Sequence, residues 1–299
     1  MTMKDQQNNT IFYILMVLAM LGWGGSWVNV KILGDYINYS ELIFYRYVIT
    51  TATMLPVLLY MKLSFKISLK NLFLSFAASL MLVIYTVFFY LGTKYGTSGL
   101  GGALVTTSIP IVTFILLVLF FKKQIFKKDL FALSLGAIGV LTILNIWQLS
   151  ANDIFTSTNL FFMLCALTWG ILTVINTKSH NIHPMVFSFY IYLISIIISF
   201  VFGDFTSGNI MEFDNKFWFN MLFISVISTT FATSVYFVGI KHIGTSQASA
   251  FVFSVPFFAI FLSYIFLDEP IFITTILGTI LTIIAIYILN KKSQTNIKD

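Results

Sequence analysis

Long apolar stretches alternate with short polar gaps along the whole chain. Ten stretches stand out, at about 11–33, 40–61, 71–92, 98–121, 130–147, 158–178, 184–203, 217–240, 247–267 and 271–290. Each is close to the ~20 mostly apolar residues that an α-helix needs to cross ~30 Å of hydrocarbon. None breaks into the ~10-residue segments of alternating polarity that mark barrel strands, so the predicted elements are helices. The gaps are short, and helices adjacent in sequence are expected to run antiparallel. The predicted fold class is an all-α integral membrane protein of ten transmembrane helices.

The polar punctuation of this pattern occurs twice. Trp23-Gly24 is followed by Val28, Asn29 and Lys31, and Trp169-Gly170 by Val174, Asn176 and Lys178. The offset is 146 residues (169 − 23 = 146), and it returns at Pro110 and Pro256. Within one residue it also relates Gly92 to Gly239 and Lys94 to Lys241. The expected organisation is a tail 1–10, a five-helix repeat 11–147, a linker 148–157, a second five-helix repeat 158–290 and a tail 291–299. An odd number of crossings per copy makes the second copy enter the membrane in the opposite direction. That is the inverted-repeat architecture of many secondary transporters.

Loop charge points the same way. Lys122-Lys123 after the fourth stretch correspond to Asp268-Glu269 after the ninth. Lys62, Lys66 and Lys70 lie between the second and third stretches, where the second copy has Asp204, Glu212 and Asp214. Most lysines therefore share a side with the N-terminus, and the positive-inside rule places both termini in the cytoplasm.

Composition narrows the class. Hydrophobic residues make up 58% of the chain and charged residues 9%, against roughly 45–50% and 25% in soluble domains. Mean hydropathy is +0.93. The net charge of +6 comes from lysines in the gaps rather than on a basic face, which argues against a nucleic-acid partner. The single cysteine, Cys165, excludes an intramolecular disulfide and a multi-cysteine metal site, and reads as a packing residue. The first stretch is too long for a signal-peptide core and reads as a retained span. There is no glycine-lysine phosphate loop. His180, His183 and His242 lack metal-ligand spacing, and no nucleophile–base pair lies within the stretches. No cofactor, metal or enzymatic activity is expected. The eleven carboxylates lie in gaps, tails or stretch ends, whereas a proton-coupled exporter of lipophilic cations usually needs an acid inside the membrane. This favours a polar, zwitterionic or anionic substrate. Glu41 is the one carboxylate close enough to a span to couple protons.

In these motifs the chain resembles the drug/metabolite transporter superfamily, in its ten-helix EamA-like branch. The resemblance is carried by Trp23-Gly24, Trp169-Gly170 and Phe44-Tyr45-Arg46-Tyr47. It is carried too by Gly92-Thr93-Lys94-Tyr95 leading through Thr97-Ser98 to Pro110, and by Gly239-Ile240-Lys241-His242 leading through Thr245-Ser246 to Pro256. Asp268-Glu269-Pro270 and Gly278 close the second copy. There are departures. Lys122-Lys123 stand where the family usually has Gly-Glu, Asp268 stands where it has glycine, and Ile191 of Phe189-Tyr190-Ile191-Tyr192 stands where the first copy has Arg46. The resemblance implies two inverted five-helix repeats around a central cavity, with peripheral fifth and tenth helices and a small-molecule substrate.

The residues leave alternatives open. Arg46, the only arginine, lies ~9 Å into its span at 1.5 Å per residue; it can pair with Glu41 or meet a substrate anion. Trp23 and Trp169 pack between repeats or wall the cavity. Asn29 and Asn176 bond between helices or touch substrate. Lys94 and Lys241 close helix ends or line the path. Pro110 and Pro256, read as lying in mid-helix, free the carbonyls of Thr106 and Val252 and are candidate kinks or gates. Thr106, Thr107, Ser108 and Ser254 are then candidate lining, as are Tyr85, Tyr90, Tyr190 and Tyr236. Asp268-Glu269-Pro270 reads as the N-terminal cap of the tenth helix. Gly92/Gly96 and Ala132/Gly136 have the small-residue spacing of close helix contacts, which leaves homodimer and monomer equally open. The expected function is a secondary transporter, an exporter of small polar metabolites such as amino acids, in the inner membrane of a bacterium. A sugar, nucleotide-sugar or nucleobase permease is the alternative within transport, and a non-transporting membrane receptor or assembly partner the alternative outside it.

Overall fold

The computed structural model describes residues 3–121, 126–145, 157–176, 178–179, 181–243, 251–252 and 254–290. The first half contains α1 (Met3–Leu33), α2 (Tyr39–Tyr60), α3 (Leu69–Tyr95), α4 (Ser98–Phe121) and α5 (Lys127–Ile143). The second contains α6 (Ser157–Asn176), α7 (Pro184–Phe202), α8 (Asn215–Leu222), a π-helical segment (Phe223–Phe231), α9 (Ala232–Ile243), α10 (Val255–Leu267) and α11 (Ile273–Asn290). The α8, π and α9 segments follow one another without a gap and form one rod in place of the eighth stretch. Seven of the described helices are long and apolar enough to cross a membrane, and α10 and α11 supply shorter apolar helices. This is a multi-pass membrane protein.

Polar residues in the gaps start the helices. Asn38 accepts from the backbone N–H groups of Ser40 and Glu41 while Glu41 accepts from Asn38 N, a capping box for α2. Ser68 caps α3, His183 followed by Pro184 starts α7, and Asp214 caps α8. α1 extends back to Met3, beyond the apolar boundary at 11, because no glycine or proline interrupts it there.

Corresponding helices of the two halves meet antiparallel. Ser199, late in α7, donates to the carbonyl of Ser40 at the start of α2 (2.7 Å). At the other ends, Met54 and Leu58 pack with Met185 and Val186. Along α4 and α10, Gly99 faces Ser263 and Gly102 faces Ala259. Along α5 and α11, Gly136 faces Ala285 and Gly278 faces Ile143. Three such pairs in opposite senses mean that the second half is inverted relative to the first. Cross-pairs agree: α3 packs on α6 as the α8–α9 rod packs on α1, and α4 packs on α6 as α10 packs on α1. α5 packs on α11 and α4, at the edge of the bundle.

Two motifs take their structural roles within the chain's own packing, and the second of them departs from expectation. Gly92 and Gly96 accommodate Phe162 and Thr158 of α6, and Gly136 accommodates Ile111, so these small residues are consumed inside the chain. Asp268-Glu269-Pro270 does not cap the tenth helix, which begins only at Ile273. Asp268 ends α10 in the left-handed region (φ 52°). The reversal sends the Glu269 carboxylate across to α4, where it accepts from Ser98 N and Gly99 N, each at 2.8 Å. A carboxylate is favoured there because the helix N-terminus presents unpaired N–H groups and the positive end of the dipole. Beside it lies a cavity of about 20 Å³ lined by Thr97, Ser263 and Glu269 among others, large enough for one water molecule.

Candidate functional site

The two Trp-Gly pairs explain themselves once the bundle is assembled. Adjacent helix positions point in different directions, so each pair serves two neighbours. Trp23 on α1 packs on Tyr236 of α9 (ring centroids 5.4 Å), and Trp169 on α6 packs on Tyr85 of α3 (4.6 Å). Gly24 lets α10 approach at Phe258 and Ala259, and Gly170 lets α4 approach at Val112. The two tryptophans are equivalent positions and pack on equivalent helices of opposite halves, although their tyrosine partners are not repeat equivalents (236 − 85 = 151, against 169 − 23 = 146).

Arg46 lies beside the second pair. It is not paired with Glu41. The Glu41 carboxylate is buried and accepts from Asn38 N (3.0 Å), from Ser207 N (2.8 Å) and from the Ser207 hydroxyl. It is spent on starting α2 and tethering the α7–α8 connection. Arg46 donates from Nε and Nη2 to Thr229 Oγ1 of the π segment, at 3.3 and 3.1 Å. Its Nη1 is buried and has no hydrogen-bond partner among the described residues. The guanidinium carbon lies 5.5 Å from the Tyr47 ring. Tyr47 stacks on Tyr192 (5.2 Å, 11°) and shares a 3.1 Å hydrogen bond with Thr86. The charge of Arg46 also reaches Tyr85 and Tyr192. One guanidinium thus meets Thr229 and Tyr47 directly, with Tyr192 stacked behind Tyr47 and with Tyr85, itself packed on Trp169, within electrostatic reach; these residues come from five helical rods and both halves.

The structure places Arg46 near Tyr85, which packs on Trp169, while Trp23 packs on Tyr236. The other candidates lie elsewhere. Asn29 donates to Asn220 Oδ1 (2.7 Å) between α1 and α8, and Asn176 is exposed at the end of α6. Lys94 is exposed at the end of α3 and donates to Tyr90 OH (3.1 Å), which donates in turn to Ile37 O (2.7 Å). It is Lys31 that reaches the last α3 carbonyls, Lys94 O (3.1 Å) and Gly96 O (2.6 Å). Tyr190 donates to Phe65 O (2.7 Å) in the α2–α3 connection. Thr106 bonds back to Gly102 O within α4, Ser108 is half-buried, and Pro110 lies inside α4, which runs on through it to Phe121. Pro256 is in the first turn of α10 rather than mid-helix, where a missing N–H leaves no helical bond unmade. Ser254, just before it, donates to Phe251 O (2.7 Å). The Lys241 side chain lies outside the described residues, as do Lys122, Lys123, His180, Thr245 and Ser246.

Tyr47, Tyr192 and Thr229 are the site residues that sequence reasoning missed. The first two had a signal: they end the corresponding strings Phe44-Tyr45-Arg46-Tyr47 and Phe189-Tyr190-Ile191-Tyr192, and they meet each other across the repeat interface. Thr229 had none. Outside the spans, Tyr36 OH donates to Asp214 Oδ2 (2.9 Å). The Phe217 N–H, with this hydroxyl and others, holds the exposed Asp214 carboxyl below the usual carboxylate range.

The EamA-like transporter family matches the chain twice, over residues 10–145 and 156–291. The displacement of the two matches equals that of the two tryptophans (156 − 10 = 146). Similar proteins include an Archaeoglobus fulgidus protein named as an uncharacterized transporter, 25% identical over 294 residues, 96% of this chain and 99% of the relative. The uncharacterized transporter YyaM of Bacillus subtilis is 23% identical over 286 residues, 92% of each chain. YvbV of the same organism, also named as an uncharacterized transporter, is 26% identical over 294 residues, 94% of this chain and 92% of its own. One solved crystal structure superposes with a TM-score of 0.63 over 94% of this chain and 96% of that one, at 12% identity, which speaks to the fold alone.

Proposed function

The chain belongs to the EamA-like transporter family, and on that premise we propose that it is a secondary transporter of small polar metabolites carrying an anionic group, amino acids and related compounds among them. It works by alternating access and exports across the inner membrane of a bacterium, with both termini cytoplasmic. The observation that carries the proposal is the guanidinium of Arg46, held by a neutral hydroxyl with Nη1 buried and unpartnered among the described residues. An arginine stays charged at any accessible pH. At membrane depth it costs on the order of 2.5–3.5 kcal/mol on insertion scales. A threonine hydroxyl does not neutralise it; a substrate carboxylate at Nη1 does. Both inverted halves contribute to the surrounding aromatic wall, so an anion bound there sits where the halves must move past each other. Binding and release suffice for this work, and no bond-making step is invoked.

The test is flux into proteoliposomes across a panel of radiolabelled metabolites. Arg46→Gln is expected to abolish flux while leaving the folded fraction and detergent stability close to wild type. Unimpaired flux in Arg46→Gln would refute the anion site. If neutral sugars are carried instead, the permease alternative replaces it. For topology, a cysteine placed at Asp214 in a Cys165→Ala background is expected to react with an impermeant reagent on intact cells. Reaction only after permeabilisation would reverse the assigned orientation.

A further inference from the structure

We infer that Thr229 is the positioning residue of this site: it fixes the Arg46 guanidinium through Nε and Nη2 and leaves Nη1 alone for the substrate's anion. The inference rests on the proposed role of Arg46 and names the group that orients it.

Hydrogen-bond accounting at Thr229 comes first. A threonine hydroxyl has one proton and two lone pairs. Its proton goes to the carbonyl of Ile224 (2.7 Å), and both N–H groups from Arg46 arrive at the same oxygen. The hydroxyl is saturated, so it serves as a fixed acceptor and has no proton left for a substrate. Being neutral, it sets the plane of the guanidinium without cancelling its charge. A carboxylate at the same place would cancel it.

The backbone beneath Thr229 comes second. Its bond to Ile224 O spans five residues, and Thr230 bonds Ser225 O with the same spacing (3.2 Å), both within the π-helical segment. Such segments recur at functional sites. This one is stitched to the helix that carries Arg46. Thr50 donates to Ser225 O (3.2 Å) and Thr53 shares a 2.8 Å hydrogen bond with Thr230. Arg46, Thr50 and Thr53 follow one another at i, i+4 and i+7 on one face of α2, and each engages the π segment. The guanidinium is therefore referenced to the second repeat although it belongs to the first.

Two measurements test this, one of them free of any substrate. In detergent, Thr229→Asp places a carboxylate against Arg46. It is expected to melt at or above the wild-type temperature, and to melt well below it when combined with Arg46→Gln. A merely structural threonine predicts destabilisation by Asp in both backgrounds, and absence of coupling in this double-mutant cycle overturns the inference. In proteoliposomes, counterflow of radiolabelled amino acids reads the second arm. Thr229→Val is expected to raise the half-saturating concentration about ten-fold or more, as loss of hydrogen bonds to a charged group does, with the maximal rate much less affected. Thr229→Ser is expected to restore wild-type values, and Thr229→Asp to abolish counterflow. Normal half-saturation in Thr229→Val alongside a dead Arg46→Gln overturns the role of Thr229 and spares that of Arg46. Normal counterflow in Arg46→Gln overturns both. If wild type carries none of the amino acids, the melting cycle decides alone.

Discussion

The two glycines of the Trp-Gly pairs occupy equivalent places in the repeats, yet they are expected to tolerate alanine very differently. A Cβ added at Gly24 would lie 2.5 Å from Phe258 Cβ and 3.0 Å from Ala259 N. Neither atom can rotate away, because one is a backbone nitrogen and the other is fixed to its backbone. Ordinary contact begins at 3.4 Å, so α1 and α10 must part by about 0.9 Å (3.4 − 2.5 = 0.9). Overpacking of this kind costs roughly 1–3 kcal/mol. Helix association inside a bilayer depends on close packing rather than on hydrophobic burial, so the separated faces regain little. At Gly170 the nearest atoms are Val112 Cγ1 (2.8 Å) and Leu116 Cδ1 (3.4 Å), both side-chain termini that can shift. The gain in helix propensity from glycine to alanine, about 1 kcal/mol, applies equally to both sites and nearly cancels the smaller clash. Gly24→Ala should therefore be the less stable variant by roughly 1–2 kcal/mol. Fluorescence-detected size exclusion after graded heating, with both variants in one detergent, measures the difference. If Gly170→Ala melts at or below Gly24→Ala, the distinction between backbone and side-chain obstruction is wrong for this bundle.

Two further outcomes follow from groups at helix starts. Glu269→Ala removes both acceptors from the α4 N-terminus and is expected to cost about 0.5–2 kcal/mol, as loss of a cap does; a detergent melting temperature equal to wild type would count against that cap. Asp214 titrates below its usual 3.8, so its contribution to stability is present above about pH 4 and is lost as pH falls through the lowered value. A melting curve taken between about pH 3 and pH 7 should lose part of its acid slope in Asp214→Asn, and an unchanged slope would place the acid sensitivity elsewhere.

The sequence by itself determined the class, the element type and the repeat. Apolar runs of span length have few soluble or barrel alternatives, since only helices satisfy their own backbone within one segment. An odd number of spans per copy makes inversion a matter of counting, and the antiparallel meeting of α2 with α7, α4 with α10 and α5 with α11 agrees. Arg46 was legible as well, because a lone guanidinium inside an apolar run is costly enough to demand a reason. Its partner was not legible. Glu41, five residues away, was the candidate in reach along the chain, but a carboxylate in the first turn of a helix is claimed by backbone N–H groups, and Ser207 completes its shell. Thr229 lies 183 positions from Arg46 and sits in a π-helical stretch, where a 3.6-residue period misassigns faces. Glu269 likewise looked local and proved long-range, because the left-handed turn at Asp268 aims it at a different helix. Periodicity along a chain reports which faces are apolar. It carries no information on which polar group meets which across an interface, and that was decided only when the two inverted halves packed together.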